Sequence, residues 1–223
     1  MAMNYKFVKA FVGYTGLELA VQEALYGFVM ALTFIISAQV GLIKFDSSLR
    51  LVILIIGMNF VWGFIDMYIF YKMDVFAQGR YAKIVNNKDK HPENTRKAVY
   101  NELGSTIFDV LSEEDKEEAV NLVMKSAVED CEAMKSDRKD MFLSGLSCFI
   151  ITLLTTIPII LSLLLIPNMH LSLWVASSLA IISLFFTGYM LDSGDSFKNR
   201  AYTGLSIAFI ALSLTLLATY LGG

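Results

Sequence analysis

The sequence predicts an all-α integral membrane protein: five transmembrane helices, with a helical cytoplasmic domain between the second and third. Three observations predict it. Hydrophobic residues make up 56% of the chain and charged residues 17%, against about 25% charged in ordinary soluble domains. Charge-free or nearly charge-free runs recur at the length of roughly 20 residues that a bilayer-crossing helix needs. The charge that exists is gathered: residues 73–140 hold 11 of the 18 Lys and Arg and 15 of the 21 Asp and Glu.

The first span is expected at about 18–43, of which 24–43 carries no charge. The residues before it read as a cytoplasmic lead-in with Lys6 and Lys9, because Glu18 and Glu23 interrupt what would otherwise resemble a signal-peptide core. The second span is expected at 50–72, its one carboxylate being Asp66. From Met141 to Leu191 there is no charged residue. That length requires two helices, about 141–167 and 170–191, with the turn at Ile166-Pro-Asn-Met-His170. Pro158 should kink the first of them, since proline frees a carbonyl one turn back. The fifth span is expected at 201–221. Domain boundaries follow: 1–72 (lead-in and spans 1–2), 73–140 (acidic cytoplasmic domain) and 141–223 (spans 3–5).

Within 73–140, Val85 to Asn94 reads as a loop, Thr95 to Leu111 as one helix and Ser112 to Ser136 as a longer one. Ser112 and Asp115 stand at capping-box spacing. Val120, Leu122, Val123, Ala127, Val128 and Ala133 give an interrupted apolar face. Orientation follows from basic residues. The N-terminal segment, 73–140 and 192–200 share one side and, with Lys72, hold 16 of the 18 Lys and Arg; the other side has Lys44 and Arg50. The positive-inside rule puts the first set in the cytoplasm and the C-terminus outside.

Several function classes find no support. A net charge of −3 with no basic stripe gives no nucleic-acid surface. The two cysteines, Cys131 and Cys148, form no disulfide framework and read as reduced thiols. The two histidines, His91 and His170, fall in expected loops and match no zinc spacing. No phosphate loop, nucleophile elbow or HExxH is present, so no soluble-type enzyme site is visible and no permanent cofactor is expected.

Asp66 carries the strongest functional signal. A charged group at the centre of a spanning helix costs about 2.5–3.5 kcal/mol on insertion scales, so a cation, a proton or a buried partner must offset it. Asn59, Trp62, Gly63 and Asp66 fall at i, i+3, i+4, i+7 on one stripe. On the first span Gln22, Tyr26, Met30, Thr33 and Ser37 form another, with Glu18 and Glu23 at its cytoplasmic end. Oxygen donors with a thioether suit Fe(II) or Mn(II), although Thr and Ser also bond their own helix backbone. In the run Glu113 to Glu118, Glu113 stacks over Glu117 and Glu114 over Glu118. A divalent cation would relieve that repulsion, while acids in a first turn also suit the helix dipole. Glu129, Asp130 and Glu132 form a second acidic group.

Glu23-Ala-Leu-Tyr-Gly-Phe-Val-Met-Ala-Leu-Thr33, Asn59-Phe-Val-Trp-Gly-Phe-Ile-Asp66, Phe185-Phe-Thr-Gly-Tyr189 and Leu221-Gly-Gly223 resemble motifs of a divergent prokaryotic branch of the vacuolar iron transporter family. So does the order of two spans, an acidic domain and three spans. The resemblance implies a homodimer in a prokaryotic cell membrane that exchanges cytosolic Fe(II) or Mn(II) for protons. It implies that the first spans of two subunits line the path. Asp66 would be the second-span acid, with Glu23, Tyr26, Met30 and Asn59 along the route. Glu113, Glu114, Glu117 and Glu118 would gather metal on the cytoplasmic side. Better-known members carry an Asp-Gly pair where this chain reads Tyr26-Gly27, and Glu23 is the nearest acid. The alternative expectation is a non-transporting scaffold or metal sensor that binds a partner through its cytoplasmic helices.

Overall fold

The computed structural model describes residues 13, 15–125, 138–192, 194 and 196–221. Lys6, Lys9, Glu129, Asp130, Cys131, Glu132 and Gly222-Gly223, with the C-terminal part of the helix expected at 112–136, lie outside the described residues. The described elements are helical: α1 (Leu17–Gln39), α2 (Ser48–Asn86), α3 (Pro92–Gly104), a 3-10 turn (Ile107–Val110), α4 (Glu113–Lys125), α5 (Arg138–Thr155), α6 (Ile157–Leu165), α7 (Met169–Leu191) and α8 (Phe197–Tyr220). Five stretches are long and apolar enough to cross a membrane: α1, Ser48–Ile84 of α2, α5 with α6, α7 and α8.

Local chemistry sets the ends of these helices. Beyond α1, Gly41 adopts φ 77°, and the Leu42 N–H reaches Ser37 O at 3.0 Å while the Gly41 N–H reaches Ala38 O at 3.1 Å. That is the Schellman pattern, in which a left-handed residue turns the chain back to satisfy the last carbonyls. The first span therefore stops at Gln39, short of the 43 expected. Pro158 does break its span. Thr156 separates α5 from α6, and the hydroxyls of Thr155 and Thr156 donate to Thr152 O and Leu153 O, both at 2.7 Å. Hydroxyls thus meet carbonyls near a proline that has no N–H of its own. At the next turn Asn168 caps α7 through Leu171 N–H at 3.0 Å. His170 accordingly sits in the first turn of α7, not in the expected loop.

The chain divides into two compact units, one of residues up to Ile69 with those from Leu143 onward, the other Phe70–Phe142. In the first, α1 packs on α7 and α8, and α6 on α7. Its core joins Phe28, Leu32 and Ile35 to Leu51, Ile55, Ile159, Leu163, Ala176, Ala180 and Leu184. Small residues let backbones meet, as membrane helices require. A Cβ added at Gly188 would lie 3.0 Å from Gly204 Cα, and one at Gly204 only 2.6 Å from Phe185 O. Large apolar side chains such as Phe60, Val61, Phe64, Phe209 and Leu214 instead point outward. A surface that apolar suits hydrocarbon better than water.

In the second unit the helix expected at 95–111 is broken after Gly104. Ser105 and Thr106 hydroxyls donate to Glu102 O at 2.8 Å and Leu103 O at 2.9 Å, and the 3-10 turn follows. Ser112 caps α4, accepting the Asp115 N–H at 3.2 Å. Asp115 returns the contact to the Ser112 hydroxyl at 2.6 Å, where a full capping box would use the backbone N–H. Thr95, Val99 and Val120 are buried. Leu122, expected on the apolar face, is exposed.

Candidate functional site

In the first unit α1, α2 and α5 meet through glycines. A Cβ at Gly27 of α1 would fall 2.1 Å from Thr155 Oγ1 and 2.9 Å from Thr152 O. One at Gly63 of α2 would lie 3.1 Å from the Phe149 ring and 3.5 Å from Thr152 Cβ. One at Gly145 of α5 would lie 2.7 Å from Met67 O. Because 145 meets 67 while 149 and 152 meet 63, α5 runs antiparallel to α2. The turn of α5 that bears Thr152 is pressed by both neighbours.

Glu23 enters this seam from α1. It lies one turn before Gly27 on the same face and is fully buried. Thr152 Oγ1 stands 2.7 Å from its Oε2 and 3.0 Å from Cys148 O. Its other oxygen, Oε1, is buried with no hydrogen-bond partner among the described residues. Asn59 is likewise fully buried. Its Nδ2 donates to Ile55 O at 2.9 Å, which fixes the amide and leaves Oδ1 buried without a partner among the described residues. These two oxygens are anomalous, since nearly all buried polar atoms in folded proteins are hydrogen-bonded.

Asp66 is half-buried and lines a separate groove with Tyr26, Val29, Met30 and Trp62, of about 330 Å³. The expected stripe Asn59, Trp62, Gly63, Asp66 therefore divides. Asn59 and Gly63 are buried, while Trp62 and Asp66 open onto the groove. The physical reason is that the two i, i+4 rows are offset by roughly 60° at 3.6 residues per turn. The stripe on α1 divides as well. Gln22 donates to the Tyr26 hydroxyl at 2.9 Å, and Thr33 bonds its own Val29 O at 2.9 Å. Ser37 is buried 3.4 Å from Thr219. Glu18 is exposed.

In the second unit Glu113 accepts the Tyr100 hydroxyl and lies 3.5 Å from Lys116 Nζ, which also pairs with Asp109 at 3.0 Å. The hydrogen bond from Tyr100, aided by Lys116, holds the Glu113 carboxyl below the usual glutamate range. Glu117 pairs with Arg96, whose other nitrogen reaches Asn121 at 2.7 Å. Glu114 and Glu118 are exposed. Two of the five acids in the run, Glu113 and Glu117, are thus engaged in joining α3 to α4. Among the described residues no group of three or more His, Cys, Asp or Glu side chains converges as a metal cluster.

Thr152 is the site residue that sequence reasoning missed. Its signal was present: Thr152, Thr155 and Thr156 are hydroxyls in a charge-free span just before Pro158. No family model, no curated protein and no solved structure matches this chain. Among the described residues, fold and site define a class: all-helical, with five helical stretches apt to cross a membrane and a carboxylate of α1 buried against Thr152 of α5.

Proposed function

We propose that this protein is a divalent metal transporter, a divergent relative of the vacuolar iron transporters, that moves Fe(II) or Mn(II) out of the cytoplasm in exchange for protons. One observation carries the reading: the fully buried Glu23, with an oxygen that has no partner among the described residues, one turn before Tyr26, which lines a groove with Asp66. Two carboxylates on neighbouring helices in a membrane interior are costly to keep charged. A divalent cation offsets that cost, and protons offset it by neutralising both. Competition between the two is the core of an exchanger.

The groove of Tyr26, Met30, Trp62 and Asp66 offers the approach. Its donors, a carboxylate, a phenol and a thioether, suit a first-row divalent ion. With the cytoplasm on the side of the basic residues, Glu23 stands nearer the cytoplasmic end of α1 than Tyr26 and Met30 of this groove. The outward apolar faces of α2 and α8 are where lipid and a second subunit would lie. The test is flux of Fe(II) and Mn(II) in liposomes under an imposed pH gradient. Wild type should carry gradient-driven flux and Asp66→Asn should lose it. A wild type that is folded, inserted and inactive would overturn the proposal.

A second reading has its own observation. The Phe70–Phe142 unit bears an apolar groove of about 330 Å³, lined by Tyr81, Ile84, Val99, Leu103, Phe108 and Val123. Ile107 and Val110 stand exposed on the 3-10 turn. A scaffold or sensor would present such a surface to a partner, and that reading gains if the flux experiment fails.

A further inference from the structure

We propose that the 3-10 turn Ile107–Val110 is a membrane anchor: its apolar side chains enter the headgroup layer of the leaflet from which α2 emerges and hold the Phe70–Phe142 unit to it. The partner is the lipid surface itself. The inference rests on α2 crossing the bilayer and not on metal transport.

The length of α2 and its charges fix where it leaves the hydrocarbon. Its apolar stretch Ser48–Ile84 has 37 residues, about 55 Å at 1.5 Å per residue, against a hydrocarbon core of about 30 Å. Only part of it can be immersed. From Arg50 to Lys72 is 22 residues, about 33 Å, and Asp66 is the only charge between them. Tyr68 and Tyr71 stand just before Lys72, and tyrosine concentrates at membrane interfaces. Beyond Lys72, with Asp74, Arg80 and Lys83, α2 stands clear of the core.

The chain then returns the turn toward that level. The short connection 87–91 makes α2 and α3 a helical hairpin. Arg80 Nη1 meets Glu102 Oε1 at 3.0 Å, and Tyr81 and Ile84 share a groove with Val99 and Leu103. α3 thus runs back along α2. Arg80, eight residues past Lys72, is about 12 Å above it along the axis, and Gly104, two residues nearer than Glu102, is about 9 Å above it. α4 runs away again, since Arg96 pairs with Glu117 and Tyr100 with Glu113. The α3–α4 connection therefore occupies the membrane-proximal end of this unit. The headgroup layer extends about 5–7 Å beyond the core, so the residues after Gly104 start close to its edge.

At that end the turn presents Ile107 at 81%, Val110 at 86% and Phe108 at 48% exposure. Water is a poor match for three such neighbours, whereas the headgroup boundary accepts apolar side chains. Met73 and Phe76, also exposed, carry the apolar surface of α2 past Lys72 toward the same height. The polar groups of the turn are prepared for lipid. Asp109, the acid among the apolar residues, pairs with Lys116 Nζ at 3.0 Å. The Phe108 N–H reaches the Thr106 hydroxyl, the Asp109 N–H reaches Thr106 O at 3.0 Å, and the Leu111 N–H reaches Phe108 O at 3.1 Å. Groups already bonded within the turn cost little to move out of water. A soluble partner would have to reach the end of the unit nearest the leaflet, which favours lipid as the occupant.

The test measures depth in the full-length protein, reconstituted in phosphatidylcholine vesicles with Cys131→Ser and Cys148→Ala. Val110→Cys carries an environment-sensitive nitrobenzoxadiazole label, and Lys90→Cys, exposed in the 87–91 connection at the far end of the hairpin, is the control. Thermal unfolding checks each variant, and Ile107→Cys replaces Val110→Cys if the latter fails to fold. The label at 110 should emit further to the blue than the label at 90. It should also lose emission to lipid carrying a doxyl group near the top of its acyl chain, while the label at 90 keeps its emission. Ile107→Asn beside the label at 110 should remove most of that quenching. Labels at 110 and 90 that behave alike, both in water, would overturn the anchor and leave the turn free for a partner protein. A blue-shifted label at 110 that the doxyl lipid does not quench would also overturn it, because protein, such as a second copy of this chain, would then cover the turn. Quenching unchanged by Ile107→Asn would overturn the anchoring role, with α2 alone setting the height of the turn.

Discussion

Gly27 shows how one atom governs the neighbourhood of Glu23. Alanine is the better helix former by about 1 kcal/mol, so an unencumbered Gly→Ala change in a helix stabilises. At Gly27 the new methyl would meet Thr155 Oγ1 at 2.1 Å and the Thr152 carbonyl at 2.9 Å. A hydroxyl can rotate away; a backbone oxygen cannot. α1 must therefore shift from α5, and overpacking of that kind costs about 1–3 kcal/mol. Gly57 supplies the control, because nothing lies within 4 Å of its added Cβ. Thermal unfolding in detergent should fall for Gly27→Ala and stay level or rise for Gly57→Ala. Equal behaviour of the two would mean that the α1–α5 contact is looser than drawn here. At this scale the sequence was legible in part. Glu23 and Asp66 stand out as acids in apolar runs, whereas burial of Glu23 depends on which neighbour covers its face, and Thr152 is 129 residues away along the chain.

At the level of elements, the spans were legible because bilayer length and charge exclusion act on contiguous residues. The faces were not, because two rows of one helix differ by a fraction of a turn and only tertiary packing chooses between them. Asn59 went inward and Trp62 outward on that basis. The hydrophilic unit shows a similar limit. Its acids read as a free cluster, yet Tyr100 of α3 donates to Glu113 of α4 and Arg96 pairs with Glu117. The hydrogen bond from Tyr100 lowers the Glu113 pKa, so the tie is in place above the ordinary glutamate value and is lost as pH falls through the lowered one. Tyr100→Phe removes the main cause of that shift. The carboxyl-carbon resonance of Glu113 should titrate below the ordinary glutamate range in wild type and move up toward it in the variant. An unmoved midpoint would assign the shift to Lys116, the other partner at 3.5 Å.

For the whole molecule, orientation would give the proposed transport its direction. If all five candidate spans cross the membrane, two arrangements are possible, and the lysines and arginines bear on the choice. The hydrophilic segment 73–140 carries 11 of the 18 basic residues, while the α1–α2 connection has Lys44 and Arg50, the latter already paired with Asp46 at 2.7 Å. On the positive-inside rule the expected arrangement has Lys97 in the cytoplasm and Lys44 outside. Both side chains are exposed, so each can be replaced by cysteine in a background where Cys131 and Cys148 have been changed to serine and alanine. In intact cells a membrane-impermeant thiol reagent should label Lys44→Cys and spare Lys97→Cys; after permeabilisation it should label both. The reverse pattern would put the α3–α4 unit outside. Glu23, which lies nearer to that end of its helix than to the Lys44 loop, would then face the exterior first, and the proposed transport would be uptake instead of export. Labelling of both sites in intact cells would mean that the chain inserts in two orientations, as an antiparallel pair requires, and the parallel homodimer would be excluded with it.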